Sequence, residues 1–358
     1  MNVLLISSNI ANSGGTERIG IGLANELIKS GASSVTIISL FGSNMPFFTV
    51  DKRIRIITLF KKEVSLFVLF PILILKLRKI FKKYPEKSII LNIGALLCPF
   101  TIAANVGLSH SNVVWEHFNV SLIFKSTKER FARFIACAFG DAIVTLTAKD
   151  KEMYKENFTC KAKLYHIPNF LTFDIKTDAK IKKGKIALAV GRLTEQKGFD
   201  RLLKIWSNLP SCLSDWELKI VGDGEDGDKL RALINEYNLI NVHLIATTST
   251  IEYYYQEASL YLMTSRWEGL PMVLIEAQSY GLPIISYDCL TGPRDIVCNG
   301  RNGYLIKDGQ EDEFVRMLAQ TMQDNNLRNV FSREAQKDSG RFSKAKLIGS
   351  WFELFKNI

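Results

Sequence analysis

Eleven short apolar runs, each four to six residues long, recur along the chain without the polar alternation of a half-exposed strand. "VLLIS" (3–7), "VTIIS" (35–39), "SIILN" (88–92), "NVVW" (112–115) and "AIVTL" (142–146) form one series. "KIALAV" (185–190), "WELKIV" (216–221), "VHLI" (242–245), "LYLM" (260–263), "PIIS" (283–286) and "GYLI" (303–306) form a second. A strand with no polar face is covered on both sides, and helical patterns between the runs supply the covering layers. Both series therefore predict doubly wound parallel sheets. Two such series predict an α/β chain of two Rossmann-like domains.

A length of 358 residues suits two cores better than one. The change of domain is expected at "IPNFLTFDIKTDAKIKKGK" (167–185), where polar and turn-forming residues collect, giving domains at 1–168 and 169–340. Beyond them, Leu347, Ile348, Trp351, Phe355 and Ile358 fall at helical spacing. This apolar stripe, in a last helix over 341–358, needs a surface to pack on and is expected to return to the first domain.

The net charge of +10 is unevenly placed. Residues 1–168 hold 22 Lys and Arg against 11 Asp and Glu, and the remainder 24 against 25, so the excess lies wholly in the first half. Much of it flanks the apolar run from Leu66 to Leu75 within 60–83, as Lys61, Lys62, Lys76, Arg78, Lys79, Lys82 and Lys83. Ten residues are too few to span a bilayer. A basic amphipathic segment fits either an anionic membrane surface or a solvated helix face. Nucleic acid is not expected, because the segment lacks aromatic interleaving and no nucleic-acid-binding signature occurs. The six cysteines, at 98, 137, 160, 212, 289 and 298, show no close spacing and read as buried free thiols of a reducing cytoplasm. The N-terminus has no secretory signal, so a cytoplasmic location is expected.

Ligands of open parallel sheets bind beyond the carboxyl ends of the strands. In "SSNIANSGGTERIG", Gly14 and Gly15 follow the first strand and open a helix near Thr16, a geometry that brings amides toward an anion. In "AVGRLTEQKGFDRLL", Arg192 and Lys197 share a helix-opening loop, where a lysine opposes the macrodipole unless an anion is also there. Paired cations at that place suggest a diphosphate.

"SRWEGLPMVLIEAQSYG" (265–281) carries Glu268 and Glu276. Pro271 suits the first turn of a helix, and Glu268 reads as an acid at a helix start. Glu276 sits among Val273, Leu274, Ile275 and Ala277, where an unpartnered charge is expensive. Gly269 and Glu276 are about two helical turns apart, roughly 10 Å, the scale of a sugar and a ribose joined through a diphosphate. In "WEHFN", His117 is the histidine on a strand-end loop, beside Glu116. His110, His166 and His243 lie in or beside strands and read as structural.

"GDGEDG" (222–227) fits the dinucleotide pattern, but Asp223, Glu225 and Asp226 would set three negative charges around a pyrophosphate. It reads as a turn whose acids favour the next helix start. "DGD" (226–228), spaced like a metal-binding Asp-x-Asp, reads as a helix cap, and no metal site is expected.

Together "SGGTER", "EHFN", "GRLTEQKGFDRLL", "SRWEGLPMVLIEAQSYGLPII" and "GPRDIVCNGRNGYLI" resemble the family 4 retaining glycosyltransferases of the GT-B fold, most closely from 185 to 306. The resemblance implies two Rossmann-like domains facing across a cleft, a nucleotide-sugar in the second and an acceptor in the first. Arg192 and Lys197 would bind the donor diphosphate. The backbone of Gly269, Leu270, Pro271, Met272 and Val273 would cradle it, with Gly191 also on the donor side. Glu268 would contact the sugar, Glu276 the ribose, Gly14 and Gly15 the phosphate, and His117 the sugar near the reacting carbon.

Glu268, His117, Arg192 and Lys197 are thus the expected catalytic set, with no metal and no cofactor beyond the nucleotide-sugar. "YDCLTGPRDIV" resembles members that use UDP-hexoses, whereas "ATTST" (246–250) stands where the family often has a glycine. The basic segment resembles the membrane-contacting face of enzymes that build O-antigen or capsule on lipid diphosphates. The expected activity is transfer of a hexose or N-acetylhexosamine to a lipid-linked oligosaccharide at the inner face of the cell membrane. The alternative is a nucleotide-sugar epimerase or sugar-nucleotide-binding protein of the same architecture.

Overall fold

Every apolar run becomes a strand. A computed structural model describes residues 1–66, 68–117, 119, 126–172, 184–248 and 250–358. The chain divides into a first unit, Met1–Thr172 with Lys344–Ile358, and a second, Phe173–Ser343. Part of the stretch expected to join them, 173–183, lies outside the described residues.

In the first unit the strands are β1 (Asn2–Ser7), β2 (Ser34–Phe41), β3 (Arg55–Phe60), β4 (Ile89–Ile93), β5 (Ser111–Trp115), β6 (Ala142–Thr145) and β7 (Lys163–His166). They form one parallel sheet in the order β3-β2-β1-β4-β5-β6-β7. The second unit has β8 (Ile186–Val190), β9 (Glu217–Val221), β10 (Val242–Ile245), β11 (Leu260–Met263), β12 (Ile284–Asp288) and β13 (Gly303–Lys307), in the order β10-β9-β8-β11-β12-β13. Each sheet reverses its winding once, between β1 and β4 and between β8 and β11, and such a reversal opens a crevice at the strand ends.

Two strands are not among the predicted runs. The edge strands β3 and β7 keep partial exposure along their length, and their sequences, "RIITLF" and "KLYH", carry polar residues that interrupt the apolar pattern. An edge strand has one neighbour and less apolar cover, so it can carry polar residues that break the pattern, as β3 and β7 do, whereas the edge strands β10 and β13 keep it.

Helices cover both faces of each sheet. In the second unit, Leu202, Leu203 and Trp206 of the helix Phe199–Ser207 pack with Trp216, Leu218 and Ile220 in one cluster. The last helix, Lys344–Lys356, belongs to the first unit. Its Trp351 is fully buried, 5.0 Å edge-on from the ring of Trp115 at the end of β5.

The cysteines require a correction. Cys137, in the helix Thr127–Phe139, and Cys160, before β7, are bonded to each other, although 23 residues separate them. The amides of Lys161 and Ala162 both donate to the Cys137 carbonyl, which brings that loop to the helix end. Cys98 and Cys289 are buried free thiols as expected, but Cys212 is exposed and Cys298 half-buried.

Candidate functional site

β8 and β11 pair only through Leu260 with Ala187 and Tyr261 with Leu188, and beyond that point the two chains diverge. At the fork the Tyr261 hydroxyl takes the place of a ladder partner: it accepts from the Val190 amide at 3.1 Å and donates to the Val190 carbonyl at 3.2 Å. The loops that leave the fork, 191–198 and 264–271, hold most of the predicted donor residues.

These two loops are stapled together. The Arg266 amide donates to the Gln196 carbonyl at 2.8 Å, and Gln196 Nε2 returns a bond to the Trp267 carbonyl at 3.0 Å. The Arg266 guanidinium grips Asp200 through two bonds, of 2.9 and 2.7 Å, and the Thr264 hydroxyl donates to the Gly198 carbonyl. Gly198 has φ of +64° and no room for a side chain, since a Cβ would stand 2.2 Å from the Thr264 carbonyl oxygen. Only glycine meets both demands.

Across the staple, Lys197 Nζ lies 2.6 Å from Glu268 Oε1, which also accepts from the Ser265 hydroxyl at 2.7 Å. The lysine stem packs on Gly191, and the Glu268 carbonyl accepts from the Thr291 hydroxyl at 2.6 Å. The anion expected beside Lys197 is thus supplied within the chain by a carboxylate. Arg192 is exposed on the same loop, and among the described residues no carboxylate pairs with its guanidinium.

The helix after this loop runs Met272–Ser279, with Pro271 as its N-cap, so Glu268 and Gly269 precede it. Glu268 is therefore a loop residue held by Lys197 and Ser265 rather than an acid of the first helical turn. The two-turn spacing expected from Gly269 to Glu276 holds only from Met272 onward. Met272 and Val273 open the helix, where backbone N–H groups have no intrahelical acceptor. Within the helix every residue from Leu274 to Ser279 is buried. Glu276 is supported by Tyr255, whose hydroxyl donates to its Oε2 at 2.9 Å. The Tyr255 ring stacks between Tyr261 and Tyr280, with centroids 6.1 and 5.4 Å away. One tyrosine stack therefore joins the fork at Val190 to the buried carboxylate.

The acidic turn 222–227 is structural. Gly222 lets its chain approach the Gly191 carbonyl so closely that a Cβ would stand 2.0 Å from the oxygen. The Asp223 carboxylate accepts from the Thr247 amide at 2.8 Å, and that bond holds it below the usual carboxylate range. Asp226 is the N-cap of the next helix, but its side chain makes no capping bond, contrary to the expected cap; Asp228 pairs with Arg231 instead. Ser249, within "ATTST", lies outside the described residues.

Gly14, Gly15 and His117 lie in the first unit. The helix there begins at Gly15, and Glu17 in its first turn has its pKa raised by burial. His117 follows Glu116, whose carboxylate is buried against Arg133 Nε at 2.8 Å and the Tyr154 hydroxyl at 2.8 Å. The residue keeps partial exposure, yet its Nε2 is enclosed without a hydrogen-bond partner among the described residues, and its ring lies 4.5 Å from that of Trp115. Burial lowers its pKa to about 3, so the imidazole is neutral through the physiological range. Phe118, of the same motif, lies outside the described residues.

Cavity size alone does not locate the site. A cavity of about 960 Å³ beside the helix Glu311–Gln323, lined by Asn208, Pro210 and Arg316, contains none of the predicted residues. Ser265, Thr291, Tyr255 and Tyr261 were not among those residues. "SRWE" has the Ser-x-x-Glu spacing of a reciprocal capping pair, a signal that could have found Ser265. Nothing in "EYYYQE" marks which tyrosine turns inward.

Residues 172–338 match the family described as glycosyl transferases group 1. An uncharacterized glycosyltransferase of Haemophilus influenzae is 34% identical over 344 residues, covering 96% of each chain. The amylovoran biosynthesis glycosyltransferase AmsD of Erwinia amylovora is 31% identical, covering 98% of this chain and 99% of its own. A Campylobacter jejuni α-1,4-N-acetyl-D-galactosaminyltransferase, named for an undecaprenol-diphosphate-linked acceptor, is 27% identical over 97% and 96% of the two chains. Among solved structures, Anabaena HepE in complex with UDP superposes with a TM-score of 0.83 at 19% identity, over the full length of both chains. The chain belongs to the glycosyltransferases, with a group 1 domain over residues 172–338, and its two parallel-sheet units have the GT-B fold. Family membership sets the epimerase alternative aside.

Proposed function

We propose that the chain is a retaining glycosyltransferase of family 4 that moves a hexose or N-acetylhexosamine from a UDP-sugar to a lipid-linked acceptor in surface polysaccharide synthesis. The observation that carries this reading is the stapled pair of loops at the β8–β11 fork. There Lys197 and Glu268 meet at 2.6 Å, with the exposed Arg192 on the same loop as Lys197 and the helix Met272–Ser279 following the loop of Glu268. Cations and first-turn amides carried by two stapled loops suit a departing diphosphate. Glu268 and Glu276 then accept hydrogen bonds from hydroxyls of the sugar and ribose. The UDP in the HepE structure and the acceptor named for the Campylobacter relative support the donor and acceptor classes.

In this reaction the bond from the anomeric carbon to the diphosphate breaks as a bond to the acceptor oxygen forms on the same face. The acceptor proton passes to the departing phosphate oxygen. Arg192 and Lys197 offset the charge that gathers there, and His117, neutral, serves as a contact rather than a cation. Work at an anionic membrane surface on the cytoplasmic side is part of this proposal, and the lysines and arginine that flank the apolar run within 60–83 support that part of the reading.

The test is incubation with a panel of UDP- and GDP-sugars and a lipid-linked acceptor, with product anomeric configuration read by NMR. Retention with a UDP-sugar is expected, in EDTA as well as without it. Turnover is expected to fall by about a hundredfold or more in Arg192→Ala and Lys197→Ala. An inverted product would overturn the retaining mechanism, and ordinary turnover in both variants would overturn the site.

A further inference from the structure

Three consecutive tyrosines, Tyr253, Tyr254 and Tyr255, sit on the short helix Ile251–Glu257. Tyr253 is exposed, Tyr254 half-buried and Tyr255 enclosed. The Tyr255 ring lies within 6° of the plane of Tyr280 and within 22° of that of Tyr261. Rings stacked in this way hold the phenol in one place, and its hydroxyl donates to Glu276 Oε2 at 2.9 Å. Through Tyr261 the same column reaches the fork, where that residue's hydroxyl is bonded to both the amide and the carbonyl of Val190.

The last torsion of a glutamate is broad, so packing of its stem does not fix the plane of its carboxylate. A charge-assisted bond to one of the two oxygens does. Tyr255 is 1% exposed and Glu276 8%. A ligand can therefore reach the carboxylate but not the phenol, and what Tyr255 does for a ligand it does through Glu276. Burial and nearby carboxylates, Glu276 among them, push the Tyr261 phenol far up and the Tyr280 phenol to about 12, so both stay neutral beside the bonded pair.

Resting on the reading that Glu276 binds the donor ribose, we propose that Tyr255 is the positioning residue for that contact. Its phenol sets the plane in which Glu276 accepts from the ribose hydroxyls, and so makes donor affinity depend on those hydroxyls. Tyr255 itself touches no part of the donor. A binding constellation gains from a supporting side chain whose own rotamer is locked by packing, and the ring column provides that lock. The helix Ile251–Glu257, which lies between the sequence motifs and belongs to none of them, thereby enters donor recognition.

The test compares UDP with 2′,3′-dideoxy-UDP by calorimetric titration of the full chain. The wild type is expected to bind UDP about tenfold or more tightly than the dideoxy analogue, as one contact to a charged group predicts. Tyr255→Phe keeps the ring in its column and removes the donor. It is expected to weaken UDP binding about fivefold, the weight of one hydrogen bond, and to leave the dideoxy analogue unchanged. In a Glu276→Gln background the same substitution is expected to have no further effect on the ratio. Should Tyr255→Phe fail to fold, 4-fluorophenylalanine at position 255 fills the space of the hydroxyl without donating. A ratio undiminished by loss of the phenol, a loss shared equally by both ligands, or a further loss in the Glu276→Gln background would overturn the positioning role. A wild-type chain that binds the two ligands equally would instead overturn the ribose reading of Glu276, and the role of Tyr255 with it.

Discussion

Glu276 is the residue whose environment the sequence stated most clearly, because a carboxylate inside an apolar helix has to be answered by a partner. The partner proved to be Tyr255, 21 residues earlier, through a hydroxyl that no local pattern points inward. Lys197 shows the opposite case. Its position against the helix dipole read as a demand for an external anion, and the chain supplies Glu268, 71 residues away. Contacts between separate loops are set by the fold, so a motif scan sees each residue and not the pair. At this scale His117 makes a testable case. Its folded pKa lies below its unfolded value, so between about pH 6.5 and 3 the unfolded chain binds a proton that the folded chain refuses. Stability is unaffected by this group at higher pH and is lost as the pH falls through that window. The NMR titration of the His117 ring is therefore expected to show no midpoint above pH 5; a midpoint near 6.5 would contradict its enclosure.

All eleven apolar runs are present as strands, the nine interior ones and the edge strands β10 and β13. β3 and β7 did not form such runs, because these half-exposed edge strands carry the mixed composition of a surface. The helix Met272–Ser279 was legible in kind but not in its start: Pro271 caps it from outside, which moves Glu268 into the loop where Lys197 can reach it. Gly198 tests the staple between the two loops. Gly198→Ala forces a left-handed backbone on alanine and drives its Cβ toward the Thr264 carbonyl, so the loops must separate. A loss of about 2 kcal/mol or more in denaturant unfolding is expected, together with weaker UDP binding. Unchanged stability and affinity would show that the staple does not hold the site.

For the whole molecule, two apolar strand series were enough to give two Rossmann-like units, and five motifs in order were enough to give the glycosyltransferase class. The bond between Cys137 and Cys160 was hidden, because spacing along the chain says nothing about a helix end meeting a distant loop. The last helix was legible from its stripe, and its weight can be measured. Trp351→Ala removes a fully buried ring from against Trp115 and is expected to cost about 3–5 kcal/mol. A cost below about 1 kcal/mol would mean that the helix is an accessory rather than part of the first unit's core.

The central claim is that the fork between β8 and β11 receives a diphosphate, and calorimetric titration with UDP and with uridine tests it most directly. Two charge-assisted contacts, each worth roughly 1.5–3 kcal/mol, predict that the wild-type chain binds UDP at least about a hundredfold more tightly than uridine. Arg192→Ala should remove about tenfold or more of that preference while leaving uridine affinity unchanged. Equal affinity for UDP and uridine, or a preference that survives loss of both Arg192 and Lys197, would contradict the account.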